Sequence, residues 1–417
     1  MPAIRHSRYQ SVASSIASIL QDKMDVYVRQ TGFLSEREQA TLLVLDRSQD
    51  VLAPLLHEFY YQGMANELLD IREERYSYES EDRSGKTEKK DVLLNETDDI
   101  WSSVRHMHIA EALEHIPQEF KRFTETSKAA KIAQGEGGGK IEDMTAAVKE
   151  MPAFKEKTAR YSLHINISKE LMRKFNQEGL SDFAMLEQDM AMGEDSEGNK
   201  IGNKLPDVIE FVRSHDRATI DKVRLIMIYM VTQKNLSEAD RVKLLEVANI
   251  GAVHQAAMQN LRHIADDGGA PPEEKKKKKK SLEDESYEVS RREPKLKEIA
   301  GDLLNGALSD TEYPYVKPPV DSGGGGAAKS SGTSHRKQGN PRWAQGGGRR
   351  KAAAEEMKGP VFKGPRLIIF IAGGMTFSEM RMAYKLTKET QREVIIGSTS
   401  TTMCGDFVTN LAGLSEQ

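Results

Sequence analysis

Two short apolar runs near opposite ends of the chain, ATLLVL at 40–45 and RLIIFIA at 366–372, constrain the fold more than any other feature. Each has the length and branched content of a buried parallel strand. The first ends at Asp46 and Arg47. The second runs into a turn at Gly373 and Gly374 and then into TFSE (376–379), where a Thr and a Glu three residues apart spell a capping box. Phe377, Met380, Met382, Ala383 and Leu386 predict a helix there, and EVII (393–396) predicts another strand, so this end reads as a parallel crossover. Neither end alone supplies enough strands for a parallel sheet covered on both faces. The two ends are therefore expected to build one discontinuous α/β domain, with the middle of the chain inserted into it.

The inserted middle reads as mainly α. Residues 97–116 begin acidic and predict one helix. Residues 219–233 are apolar almost all round and predict a buried helix. SEAD (237–240) opens a further helix with Ala239, Val242, Leu245 and Ala248 on one face, and 253–264 continues the pattern, as in a helical bundle. Near the amino terminus, Val12, Ile16, Ile19, Leu20, Met24 and Tyr27 recur at helical spacing, so an amphipathic helix should turn this stripe to a core. The first twenty residues, with Arg5, Arg8 and several serines, imitate a transit peptide, yet the periodicity continues past any plausible cleavage point. Three stretches, 126–140, 266–285 and 321–358, have the composition of loops.

Composition removes several function classes. With 60 basic and 64 acidic residues among 417, the net charge of −4 gives no whole-molecule field favouring nucleic acid. The lone Cys404 leaves no disulfide framework and no cysteine-cluster metal site, which suits a reducing, cytoplasmic location. The longest apolar runs, 225–231 and 367–372, fall far short of the roughly 20 residues that span a bilayer.

Each enzyme-like motif has a plainer reading beside it. GEGGGK (135–140) resembles a phosphate loop, but Ile141 stands where a Ser or Thr would hold magnesium. The turn AGGMT (372–376) sits between a strand end and a helix start, where anions bind in parallel folds, yet it lacks the spaced glycines of a dinucleotide site and a neighbouring base or nucleophile. His106, His108 and His115 lack zinc-protease spacing. Asp46, Arg47 and Asp50 follow a strand end, where a buried ion pair anchoring the loop competes with a functional site. Lys275, Lys276, Lys277, Lys278, Lys279 and Lys280 form a basic run suited to anionic lipid, but Glu273, Glu274, Glu283, Asp284 and Glu285 flank it and cut its field.

The stretch 141–192 is the most informative. Met144, Val148 and Met151 form one helical stripe, Pro152 interrupts it, and Phe154, Tyr161, Ile165, Leu171, Met172 and Phe175 carry apolar character onward. Pro152 marks a kink, a boundary or the start of a new helix. A helix from 154 to 175 is about 33 Å long at 1.5 Å per residue, enough either to project from a bundle and meet another helix or to lie along the core.

Five segments in order, LLVLDRSQDVLAPLLHEFYYQGMANELLDI (42–71), DDIWSSVRHMHIAE (98–111), KEMPAFKEKTARYSLHI (149–165), LEQDMAMGED (186–195) and GPRLIIFIAGGMTFSEMR (364–381), resemble the syntaxin-binding, SM-type family. The resemblance implies an arch-shaped cytosolic scaffold without cofactor or catalytic residue. It divides the chain into 1–65 (first part of a discontinuous domain two), 66–363 (helical domain three) and 364–417 (second part of domain two). It also implies that the family's first domain and the opening of its second are missing here.

The partners it implies are syntaxin and vesicle SNARE helices, in vesicle docking and exocytosis, with association to membranes through those partners. The surface it implies is the helical hairpin 141–192. Pro152 takes the hinge position, Asp143 lies just before it and holds the furled form, and Met151, Tyr161 and Ile165 belong to the SNARE-facing set. Two other readings stand beside this one: a truncated competitor that binds vesicle SNARE but not closed syntaxin, and a phosphate-binding α/β enzyme using the turn at Ala372. Ser330, Ser331, Thr333 and Ser334, near Arg336 and Lys337, are candidate phosphate acceptors.

Overall fold

A computed structural model describes residues 1–32, 38–81, 87–127, 130, 141–214, 217–233, 236–266, 287–319 and 362–414, the side chains of 80, 81, 141–148 and 266 excepted. Within these limits the chain runs β1 (Ala3–His6), α1 (Ser11–Thr31), β2 (Thr41–Asp46), α2 (Tyr61–Leu68), β3 (Ile71–Arg72), β4 (Arg75–Glu81), β5 (Thr87–Leu93), α3 (Asp99–Val104) and α4 (Ile109–Thr126). It continues through α5 (Ile141–Gln177), α6 (Leu180–Met192), α7 (Leu205–Arg213), α8 (Thr219–Thr232), α9 (Glu238–Ala248), α10 (Ala252–Asp266) and α11 (Lys295–Leu304). It closes with β6 (Leu367–Ala372), α12 (Phe377–Thr390), β7 (Val394–Ser398) and α13 (Cys404–Ala412). The basic run at 275–280, GEGGGK and the serine cluster at 330–334 lie outside the described residues, as do nearly all of the three loop stretches.

Both chain ends build one sheet, in the order β1–β2–β6–β7, with β1 and β2 parallel in the register Ala3 to Thr41. The apolar runs at 40–45 and 366–372 lie side by side in it, and α12 makes the crossover to β7. β1 was not expected, since four residues AIRH carry no apolar run. It forms because Arg5, buried in the strand, finds a full set of acceptors: its Nε donates to the Tyr313 carbonyl at 2.8 Å and an Nη pairs with Asp310 at 2.7 Å.

The chain divides into two compact units. One comprises Met1–Asp46, Gly301–Ile371 and Ala383–Gly397. Among its described residues, one apolar cluster joins Ile4, Ala13, Ala17 and Val44, with Ile16, Leu20, Met24 and Phe370 packed against it. The helix at 12–27 is present, but only half of its expected stripe faces this core. Val12, Ile19 and Tyr27 are 53%, 56% and 49% exposed, because the small Ala13 and Ala17 form the contact and rotate the larger residues outward.

The other unit comprises Arg47–Ala300, Ala372–Met382 and Ser398–Gln417, and it holds two large clusters. One joins α6–α10 and α13, with residues Val223 to Tyr229 of α8 at its centre as their all-round apolar character predicts. The second joins α2–α5 and the start of α6. Three expectations change here. The helix at 97–116 is two helices, α3 and α4, parted where His108 turns its ring to accept from Ala110 N and caps α4. On α9 the buried face is Leu244 and Ala248, while Ala239 and Val242 are exposed. A three-stranded antiparallel sheet, β3–β4–β5, occupies 71–93, a polar and aromatic stretch with no apolar run to reveal it.

Candidate functional site

The turn at 372–376 is filled by the chain itself. Gly373 and Gly374 take φ of 90° and 98°, and a Cβ on Gly374 would stand 1.8 Å from Thr402 Oγ1, so only glycine fits this turn. The capping box forms as spelled: Glu379 accepts from Thr376 N at 2.9 Å and Thr376 Oγ1 accepts from Glu379 N at 3.2 Å. Glu379 also receives Arg47 at 2.6 Å, both side chains being buried. The helix start, a place where anions bind in parallel folds, already holds a carboxylate and its counter-ion. His106 and His108 lie in the α3–α4 connection, both pushed down to about 4 by burial and then by neighbouring arginine charge. No metal-holding group of His, Cys, Asp and Glu occurs among the described residues. Cys404 is buried, and burial pushes its thiol up to about 11, which keeps it protonated and unreactive.

The segments that carry the family resemblance meet through polar side chains within the larger unit. Glu187 accepts from His57 N and faces His57 Nδ1 at 3.0 Å; Gln188 accepts from Arg292 N at 2.8 Å; Asp189 pairs with Arg291. Asp50 pairs with Arg292 at 2.6 Å and accepts from Lys295 N at 2.9 Å, at the start of α11. Burial would raise the Asp50 carboxyl, but the Arg292 and Arg47 charges outweigh it and hold it below its ordinary value. Arg381 reaches Glu58 at 3.2 Å, and Arg224 pairs with Glu67. The buried pair expected near Arg47 is thus present, but its partner is Glu379, more than three hundred positions away in the chain. These pairs fix segments to one another.

The longest described helix is α5. Its 37 residues make a helix roughly 55 Å long. It runs unbroken through Pro152, although proline removes the amide that would bond the carbonyl four residues earlier. From residue 161 onward one face is core: Tyr161, Leu163, His164, Ile167, Ser168 and Leu171 are buried. From 149 to 160 no residue is buried.

The expected site residues fall on both stretches. Asp143 lies on α5 by its backbone, its side chain outside the described set; Met151 is half-buried and Pro152 exposed. Tyr161 is 7% exposed against Phe120 and Phe123, and Ile165 is half-buried against the same cluster. They do not converge, being strung over about 33 Å from 143 to 165. At 3.6 residues per turn, Met151, Phe154, Tyr161 and Ile165 share one stripe. That stripe packs on the core at Tyr161 and Ile165 and continues past its edge at Phe154, which stacks on Phe123, and Met151.

Sequence reasoning missed the residues that hold α5. Asp98 caps α3 by accepting from Ile100 N and Trp101 N, and its other oxygen faces His164 Nε2 at 3.1 Å. His164 Nδ1 in turn faces the Tyr61 hydroxyl at 2.9 Å. The acidic start of 97–116 signalled a helix amino terminus; nothing in the sequence paired Asp98 with a histidine on another helix.

The layout defines a class: a discontinuous α/β protein with a large helical insertion, its segments locked by buried ion pairs and one long helix partly clear of the core. The model of the Sec1 family matches residues 1–410, and the chain belongs to that family. It is 35% identical over 423 residues to the protein transport protein sec1 of Dictyostelium discoideum, covering 100% of this chain and 69% of that protein. Among solved structures it is similar to the Unc18–syntaxin 1 complex of Monosiga brevicollis, at 28% identity and TM-score 0.76, covering 100% of this chain and 68% of that one. The fold is also that of the SM protein Vps45 in complex with the Qa SNARE Tlg2, at 19% identity and TM-score 0.72, with 67% of that chain covered.

Proposed function

We propose that this protein binds SNARE helices in vesicle transport and acts as a scaffold for their assembly, with the amino-terminal part of α5 as the contact face. The observation that carries the reading is the continuation of one apolar stripe from the buried Tyr161 to the half-buried Met151, over a stretch 149–160 in which no residue is buried. A helix that presents apolar residues beyond the edge of its own core can take another amphipathic helix against them. The related Unc18 structure is a complex with syntaxin 1, which supports syntaxin as one partner.

In this reading the unbroken α5 is the extended state, and Pro152 marks the turn at which a furled state departs from it. An internal proline costs a helix about 3 kcal/mol, so the two states lie close enough for a partner to choose between them by differential affinity. Asp143, before the hinge, belongs to the furled form. The lysines at 275–280 add an electrostatic contact with anionic lipid, at no more than about 1 kcal/mol per charge near a surface and less where the flanking acidic residues cut their field. Location is cytoplasmic and peripheral, held at membranes by the SNAREs; no described helix is long and apolar enough to cross a bilayer.

The test is capture of syntaxin, of a vesicle SNARE and of their assembled bundle by the immobilised chain, beside Met151→Arg. Met151 suits the test better than the buried Tyr161 or the half-buried Ile165 because it lies past the edge of the core. Capture weakened by about tenfold or more in Met151→Arg supports the reading; undiminished capture by the variant contradicts it. Capture of the vesicle SNARE alone marks the chain as a competitor.

A further inference from the structure

We propose that the buried relay Asp98–His164–Tyr61 is a positioning device for α5, holding the helix where it leaves the core and so ordering and aiming residues 149–160. The inference rests on the reading of 149–160 as a contact face and adds the residues that set its orientation.

The relay joins three elements. Asp98 starts α3, Tyr61 starts α2, and His164 lies on α5 at the boundary between its exposed and buried stretches. His164 is 0% exposed and so is Tyr61, while Asp98 is 6% exposed. One arrangement satisfies every group: His164 Nε2–H donates to the Asp98 carboxylate at 3.1 Å and Nδ1 accepts the Tyr61 O–H at 2.9 Å. Burial holds the Tyr61 hydroxyl protonated, and hence a donor. Trp101 stacks on the imidazole at 6.3 Å between centroids and 27° between planes, and also meets the Tyr61 ring edge. An aspartate, a histidine and a hydroxyl in line resemble a nucleophile with its base, but a ring with no exposed surface meets no substrate. What such a relay does is fix direction, since each buried polar group loses its partner if the helix turns or slides.

The same turn grips α5 further out. Asp99 accepts from Lys157 Nζ at 2.8 Å, and the Thr97 carbonyl accepts from Arg160 Nη1 at 3.2 Å. Residues 157, 160 and 164 lie at three- and four-residue spacing, on one face of the helix. The outer contacts are partly exposed and individually weak. The inner one is buried and cannot be replaced by water. From His164 to Pro152 is a lever of about 18 Å, so a tilt of about 10° at the relay displaces the hinge by about 3 Å.

The experiment compares His164→Phe, which keeps a ring but no hydrogen bond, with Leu171→Ala, which opens the same core seven residues further along, both well below their melting temperatures. Amide exchange over 149–160 and affinity for a labelled vesicle-SNARE helix are read together. The expected result is about tenfold faster exchange at 149–160 and about tenfold weaker binding in His164→Phe, with both quantities within about twofold of wild type in Leu171→Ala. Equal exchange at 149–160 in the two variants overturns the relay. Wild-type protein that binds no SNARE overturns the function on which this rests, while the exchange comparison still decides the relay. Should His164→Phe not fold, Tyr61→Phe, which loses one hydroxyl, decides by the same comparison: exchange at 149–160 faster than in Leu171→Ala upholds the relay, and exchange no faster overturns it.

Discussion

The two stretches of α5 belong to one helix and answer to different forces. From 161 to 177 the helix is a wall of the core, with Leu171 and His164 fully buried and its composition set by packing. From 149 to 160 it has no buried residue, and its helical form survives a proline in its interior. A change in the first stretch should register in stability, and a change in the second in partner binding. Apolar residues on one continuous stripe thus have different meanings according to whether the core extends beneath them.

The largest expected effect that sharpens this contrast is Leu171→Ala, which should lower stability by about 2–5 kcal/mol, as a cavity left among tightly packed residues does. Ala153→Arg, on the exposed stretch, should stay within about 0.5 kcal/mol of wild type in the same denaturant titration. Comparable losses from the two would erase the distinction. A smaller effect follows from acid. Burial raises the Asp98 carboxyl, but the hydrogen bond from His164 and the two amides it caps outweigh that and place it below its ordinary 3.8. A carboxyl depressed on folding stabilises the fold at pH above its unfolded value and loses that contribution as pH falls through its folded value. The melting temperature of wild type should therefore fall more steeply than that of Asp98→Asn as pH drops below about 4. Parallel curves would remove Asp98 from the account.

What the sequence disclosed and what it hid divide on physical lines. β2 and β6 were legible because a strand largely buried in a parallel sheet reads as an apolar run; β7, a partly exposed edge strand, was legible from its branched residues, and the capping box at 376–379 because its two residues are local. β1 was hidden because Arg5 draws its acceptors from residues near 310, which no local pattern reveals. The break between α3 and α4 was hidden because apolar spacing continues across it, and the cap that makes it is a histidine. The stripe on α1 misled because alanines, not the larger residues, make the close contact. At the candidate site, the apolar stripe of α5 could be read directly. Which end of it is covered could not, since that depends on where the core ends; nor could the Asp98–His164–Tyr61 relay, whose members lie on three separate segments.

The central claim, that partner helices meet α5 at 149–160 and not along its buried half, is tested most directly by placing an environment-sensitive dye on each stretch. The native Cys404 is buried and stays unlabelled in the folded protein. Ala153→Cys and Lys169→Cys both offer exposed positions for the dye, one on each side of the core's edge. The account predicts that adding a vesicle-SNARE helix shifts the emission of the dye at 153 to the blue and leaves that at 169 unchanged. An equal shift at both positions, or a shift at 169 alone, would contradict it.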